Sequence, residues 1–225
     1  MKRSHINDVL ERSEAFVAAH RFALPPFAYW APERWRQPEA APLRAAGLGW
    51  DVTDYGAGRF ETYGLTLFTI RNGRAADLAN GRGRLYAEKV LIAGDGQVAP
   101  MHRHNLKVED IINRGGGTLV LDLYGAAADG TLDQSRAAEV WVDGIARTIR
   151  PGDKLRLATG ESVTLYPNVW HAFWGEGGAV LAGEVSTVND DFTDNIFDPP
   201  VPRFSEVEED AAPRRLLVSD YGRPT

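Results

Sequence analysis

From about residue 60 to residue 187 the chain is a succession of short apolar runs separated by turn residues, with no long helical pattern between them. GLTLFTI (64–70) precedes Arg71-Asn72-Gly73, a hairpin signal, and LYAEKVLIA (85–93) precedes Gly94-Asp95-Gly96. GTLVLDLYG (117–125) follows a triple glycine. EVWVDG and IARTIRPGD (139–153) read as a hairpin around Asp143-Gly144, with a further turn at Arg150-Pro151-Gly152-Asp153. KLRLATG, ESVTLYP, HAFWGE and GAVLAGEVS complete a set of about eight strands. Strands at this spacing predict an all-β sandwich or barrel.

The barrel is expected over 59–190, after an N-terminal segment 1–58 and before a tail, 191–225, that packs on it. The first 20 residues read as a helix, with Ser4 as N-cap, Asn7 and Asp8 in its first turn, and Ile6, Val9, Leu10, Phe16 and Val17 near one stripe. FALPPFAYWAPERWRQPEAAP (22–42) is dense in proline, which opposes regular structure. Its Phe27, Tyr29, Trp30 and Trp35 favour burial, so it reads as an extended arm lying on its own barrel or on a neighbouring subunit. The net charge of −6 disfavours coating a nucleic acid. The chain has no cysteine, which removes disulfides and thiolate chemistry and fits a reducing compartment. Neither a signal peptide nor a membrane span is recognisable, so a cytoplasmic protein is expected.

Chemistry concentrates in GQVAPMHRHNLKVEDIINRGG (96–116). His102 and His104 have the i, i+2 spacing that puts both side chains on one face of an extended segment. Glu109 lies far enough on to curl back toward that face through a turn. His171, in TLYPNVWHAFW, is the candidate third imidazole. Three imidazoles and one carboxylate leave a six-coordinate divalent ion two open positions, an arrangement suited to catalysis. Each residue taken alone has an ordinary alternative: an inward histidine on a strand is more often a hydrogen-bonded core residue than a ligand.

The spacing taken together is more specific. Gly96, five residues, His102-x-His104, four residues, Glu109 and then Gly115 or Gly116 resemble the first cupin motif. Pro167 to His171 resembles the second, although PNVWH is one residue shorter than the usual Pro-x-Gly-x-x-His and lacks its glycine. Within this superfamily, MHRHNLKVEDIINRGGG resembles the M-H-x-H-x-x-K-x-E-D-I-I-N-R-G-G-G block of the D-lyxose ketol-isomerases. The resemblance extends to the opening helix, ALPPFAYWAPERW, GEVSTVNDDFTDN and RFSEVEED, nearly the whole chain. It implies a cupin barrel (double-stranded β-helix, or jelly roll) with an N-terminal helix and arm. It also implies a homodimer and a divalent metal, preferably Mn²⁺, held by His102, His104, Glu109 and His171. The implied reaction is D-lyxose to D-xylulose, with D-mannose and D-fructose as a further pair.

Such an isomerisation takes a proton from carbon beside a carbonyl and returns it to the neighbouring carbon, so a proton relay is needed beside the metal. Lys107, between two expected ligands, is a candidate whose neutral form a cation's field favours. Glu184, in AGEVS, and Glu208, in RFSEVEED, are the favoured carboxylates, with Asp191 also a candidate. Lys89, Asp190, Arg203 and Glu206 are candidates for holding sugar oxygens. Their ordinary alternatives are solvated lysines, turn-capping carboxylates and a tail salt bridge. Trp141, Trp170 and Trp174 lie nearest the site by sequence and could stack on a sugar face. NGRGR (80–84) and NRGGG (113–117) resemble phosphate cradles, but both are expected in hairpins and neither precedes a helix. Two rival classes share the ligand set: an iron-dependent cupin dioxygenase, which consumes O₂, and a sugar-binding cupin without catalysis.

Overall fold

Two long strands organise the fold, and the computed structural model describes residues 1–222. β1 (Gly49–Thr53), β2 (Leu65–Arg71), β3 (Tyr86–Ala93) and β4 (Ala99–His104) precede the first long strand, β5 (Glu109–Gly125). β6 (Ala138–Val142), β7 (Ile145–Ile149), β8 (Lys154–Leu157) and β9 (Ser162–Leu165) follow, then the second long strand, β10 (Val169–Thr187), and β11 (Asn195–Phe197). β5 and β10 run antiparallel from Val169 opposite Gly125 to Ser186 opposite Glu109. Each serves two layers. The second half of β10 pairs with β3, and the first half of β5 with β9, giving the order β1-β2-β3-β10-β5-β9-β6-β7. The other halves pair with β4 and β8, and β11 adds to the edge of β4. Leu65, Leu67, Leu91, Ile111, Leu121, Leu157, Leu165 and Phe173 fill the space between the layers. This is the expected double-stranded β-helix.

The glycines at 115–117 and 175–178 are not hairpin turns between separate strands, as the sequence suggested, but the corner at which β5 and β10 bend together. Gly116 has φ +96°, and a Cβ there would lie 2.1 Å from the Ala179 carbonyl oxygen. Only a residue without a side chain allows the two backbones to approach this closely. Buried Asn113 stitches the bend, donating to the Gly117 and Leu157 carbonyls and accepting from the Gly115 N–H at 2.9 Å. The Asp143-Gly144 hairpin forms as expected, with φ of 48° and 79° in a two-residue turn. Arg71-Asn72-Gly73 does not make a tight turn. β2 and β3 are neighbours, but residues 72–85 connect them, and a Cβ at Gly73 would collide with the Arg84 carbonyl. Asn72 is instead exchanged with Asn189, donating to its carbonyl and accepting from its N–H.

α1 (Arg3–Ala19) buries Ile6, Val9, Leu10 and Val17, as its stripe predicts. Its N-cap is Lys2, not Ser4, whose hydroxyl and N–H both bond to Asp210 in the returning tail. The proline-rich arm breaks into single turns, including α2 (Pro32–Trp35) and α3 (Ala41–Ala45), and lies on its own barrel. Phe27 stacks on Phe68 of β2, and Trp50 of β1 donates its indole N–H to the Ala28 carbonyl. β1 belongs to the sheet, so the barrel begins within the segment read as arm.

Candidate active site

β4 carries His102 and His104 on its inward face, and β10 places His171 directly opposite His102. The ligating atoms of these three imidazoles lie within 4.8 Å of one another. Glu109, the first residue of β5, reaches the group from the side. Its Oε1 is 3.1 Å from His104 Nε2 and 3.2 Å from His171 Nε2. Adjacent donors on one divalent ion stand about 3 Å apart, given bonds of ~2.1 Å at right angles. His102 Nδ1 is 2.8 Å from the Pro100 carbonyl and His171 Nδ1 is 3.1 Å from that of Val169. A carbonyl only accepts, so each Nδ1 carries a proton and each Nε2 is the atom turned toward the centre. His171 Nε2 is buried without a hydrogen-bond donor or acceptor of its own. Burial, followed by the neighbouring imidazoles, holds His102 well below the usual histidine range. Burial and the Lys107 charge lower His104 too, so both rings are neutral, as ligation requires. The donor set fits a divalent metal.

Lys107 lies beside this group, buried, with Nζ 2.7 Å from Glu109 Oε2 and donating to Glu184 Oε1 at 2.9 Å. Burial alone would lower Lys107, but the two carboxylates outweigh it and raise it above the ordinary lysine value. The two carboxylates thus favour the charged amine, the opposite sense to the field of a bound cation. Burial would likewise raise Glu109 and Glu184, yet Lys107 together with His104 at Glu109 and Lys89 at Glu184 outweighs it and holds both below the usual range, Glu109 furthest. Lys89 completes the chain, 3.3 Å from Glu184 and donating to Asn189 Oδ1 at 2.6 Å. The pocket over these groups, about 440 Å³ including its open mouth, is also lined by Asp191, Asn195 and Arg203. Arg203 is clamped between Asp51 at 2.6 Å and Asp191 at 3.2 Å.

Of the sequence-derived candidates, the structure thus gathers His102, His104, His171, Glu109, Lys107, Glu184, Lys89, Asp191 and Arg203 into one site. It does not bring Glu206, Glu208 or Asp190 there. Glu206 and Glu208 are exposed on the tail, where the backbone of Glu208 pairs with Met1 and Arg3 at the start of α1. Asp190 caps a turn, accepting from the N–H groups of Phe192 and Thr193. Its neighbour Asp191 takes the place in the pocket, because the turn points successive side chains in different directions. The tryptophans do not line it either: Trp141 is exposed, and Trp170 donates to the Gly130 carbonyl. The aromatic lining is Tyr55, Phe173 and Phe197. Asp51, Tyr55, Asn195 and Phe197 carry no local sequence signal, since only the folding of distant segments gives them a common wall.

A double-stranded β-helix with a histidine cluster between its layers defines a cupin. The chain belongs to the D-lyxose isomerase family, whose profile matches residues 1–221, and it is a sugar isomerase. The D-lyxose/D-mannose isomerase of Serratia proteamaculans is 46% identical over 228 residues, covering 99% of both chains. That of Escherichia coli O157:H7 is 43% identical over 226 residues, covering 98% of each. In fold, the chain is similar to the L-ribose isomerase of Geodermatophilus obscurus, with a TM-score of 0.60 at 17% identity over 92% of this chain and 98% of that one. The L-ribose isomerase of Cellulomonas parahominis gives 0.58, also at 17% identity, with the same coverage.

Proposed function

We propose that the protein is a metal-dependent aldose–ketose isomerase interconverting D-lyxose and D-xylulose, and D-mannose and D-fructose. The observation that carries this reading is the juxtaposition of three clustered imidazoles with a buried Lys107–Glu184 pair in one pocket. The names of the relatives, at 43–46% identity, supply the sugars. A divalent ion, Mn²⁺ in this reading, would be held by His102, His104, Glu109 and His171 and would supply Lewis acidity to the open-chain sugar.

The chain supplies the proton transfers. Glu184, ionised because Lys107 and Lys89 flank it, takes the proton from C2 of the aldose and returns it to C1. Charged Lys107 gives a proton to O1 as that transfer proceeds and recovers one from O2 as the ketose carbonyl forms. Lys89, held by Asn189, bears on the same Glu184 Oε1 as Lys107 does. Arg203 and Asp191 stand at the pocket wall for the remaining hydroxyls, and Tyr55, Phe173 and Phe197 exclude water. Positioned proton transfer of this kind contributes roughly 10²–10⁴ in rate.

The test is incubation of Mn²⁺-loaded protein with D-lyxose in D₂O, followed by NMR. D-xylulose is expected without O₂ consumption, lost with EDTA and restored by Mn²⁺. No ketose after Mn²⁺ is restored would overturn the reading, and O₂-dependent turnover would favour the dioxygenase. The proposal includes a cytoplasmic homodimer. The lack of cysteine accords with that compartment. Exposed Trp141 and Val185 share a cross-strand row through Thr164 and Asp110, an outer face available to a second copy.

A further inference from the structure

The segment after β10 grips the His-x-His strand from outside. β11 pairs with β4 so that Asn195 lies opposite His104 and Phe197 opposite His102. Just before β11, buried Asp194 turns its carboxylate onto the chain between His104 and Glu109. Its Oδ1 accepts from the N–H groups of Asn105 at 3.1 Å and Leu106 at 2.8 Å, and its Oδ2 from that of Lys107 at 3.1 Å. The Asp194 carbonyl accepts from Asn105 as well, at 3.2 Å. Three of the four residues joining two expected ligands are thus pinned by one side chain over 80 positions away.

Asp194 also stands behind His104 itself. The Nδ1 atoms of His102 and His171 are each anchored on a carbonyl, whereas His104 Nδ1 is buried with no hydrogen-bond partner. Asp194 Oδ2 is 3.9 Å from it, a gap that a small ring rotation closes. A carboxylate behind the outer nitrogen fixes the ring's tautomer and makes the inner nitrogen a better ligand. We infer that Asp194 is a positioning residue for the metal centre: it holds the 105–107 turn and sets His104 to present Nε2. This inference rests on the metal-binding reading above.

The experiment compares wild type with Asp194→Asn and, as a control, Asp190→Asn. The Asp190 carboxylate orders the same loop through Phe192 and Thr193 and makes none of these bonds to the 105–107 turn. Mn²⁺ affinity is measured by titration calorimetry on metal-free protein. Wild type is expected to bind one ion per chain. Asp194→Asn should bind roughly 10- to 100-fold more weakly, the range for lost outer-shell partners, and Asp190→Asn should match wild type. In Zn²⁺-loaded protein, ¹⁵N-edited NMR of the imidazoles should show the His104 Nδ1–H protected in wild type and lost in Asp194→Asn. Those of His102 and His171 should persist in both. Unchanged affinity in Asp194→Asn, equal weakening in Asp190→Asn, or a retained His104 Nδ1–H would each overturn the assignment. A wild type that binds no Mn²⁺ would remove the metal reading itself, which separates the two failures.

Discussion

Glu184 owes its charge to two lysines rather than to water, and that makes its role separable from metal binding. It touches no imidazole of the cluster, so Glu184→Gln should leave Mn²⁺ content near wild type while kcat falls about 10²- to 10⁴-fold. Metal analysis beside initial rates checks this, and a parallel loss of metal would contradict it. Asp191 offers a pH test away from the ligands. Burial would raise it, but Arg203, and then Lys89 and Lys107, hold it well below the ordinary aspartate range. A carboxyl lowered on folding adds stability in full above its unfolded value of about 3.9, and that contribution fades as pH falls below it. Urea midpoints at pH 5 and pH 3 should therefore converge more closely in Asp191→Asn than in wild type. An equal drop in both would assign the acid sensitivity elsewhere.

Among the elements, the paired bend of β5 and β10 carries most of the architecture. It lets two strands serve both layers, and so sets β4 and the first half of β10 against the ligand-bearing start of β5. Gly116 and Gly144 both have positive φ, but their surroundings differ. A Cβ on Gly144 meets nothing within 4 Å, whereas one on Gly116 meets the backbone of β10. Gly144→Ala should cost about 1–2 kcal/mol, the left-handed penalty alone. Gly116→Ala should cost about 3 kcal/mol or more, because backbone cannot yield as a side chain can. Chemical denaturation of the two variants measures the difference. Equal costs would mean that the corner is soft.

At the scale of the molecule, the chain's two ends are tied together. Buried Arg3 at the start of α1 bonds to Glu209 at 2.7 Å and to Asp220 at 2.9 Å, and α1 itself covers the outer face of β1, β2 and β3. Breaking a buried ion pair from one side costs roughly 3–5 kcal/mol. Arg3→Leu should therefore lower Tm by roughly 6–20 °C at this chain length. Calorimetry reads this directly, and an unchanged Tm would show that the tail is held by its apolar contacts with α1.

The sequence by itself determined the class of fold, the opening helix, the Asp143-Gly144 hairpin and the residues of the histidine cluster. These depend on periodicity and on spacing within single motifs, which act over a few residues. It also carried Lys107, Glu184, Lys89 and Arg203 as candidates, from their neighbours in the chain and, for Lys107, from the family block. Only the tertiary structure decided that the glycines at 115–117 form a corner and that Glu206 and Glu208 belong to the tail's contact with α1. It alone separated Asp191 and Asp194 from Asp190, and made Asp51 and Asn195 neighbours of the site. The physical reason is that a carboxylate's role depends on the direction it points and on what faces it there. Contacts between segments 88 to 152 residues apart fix both.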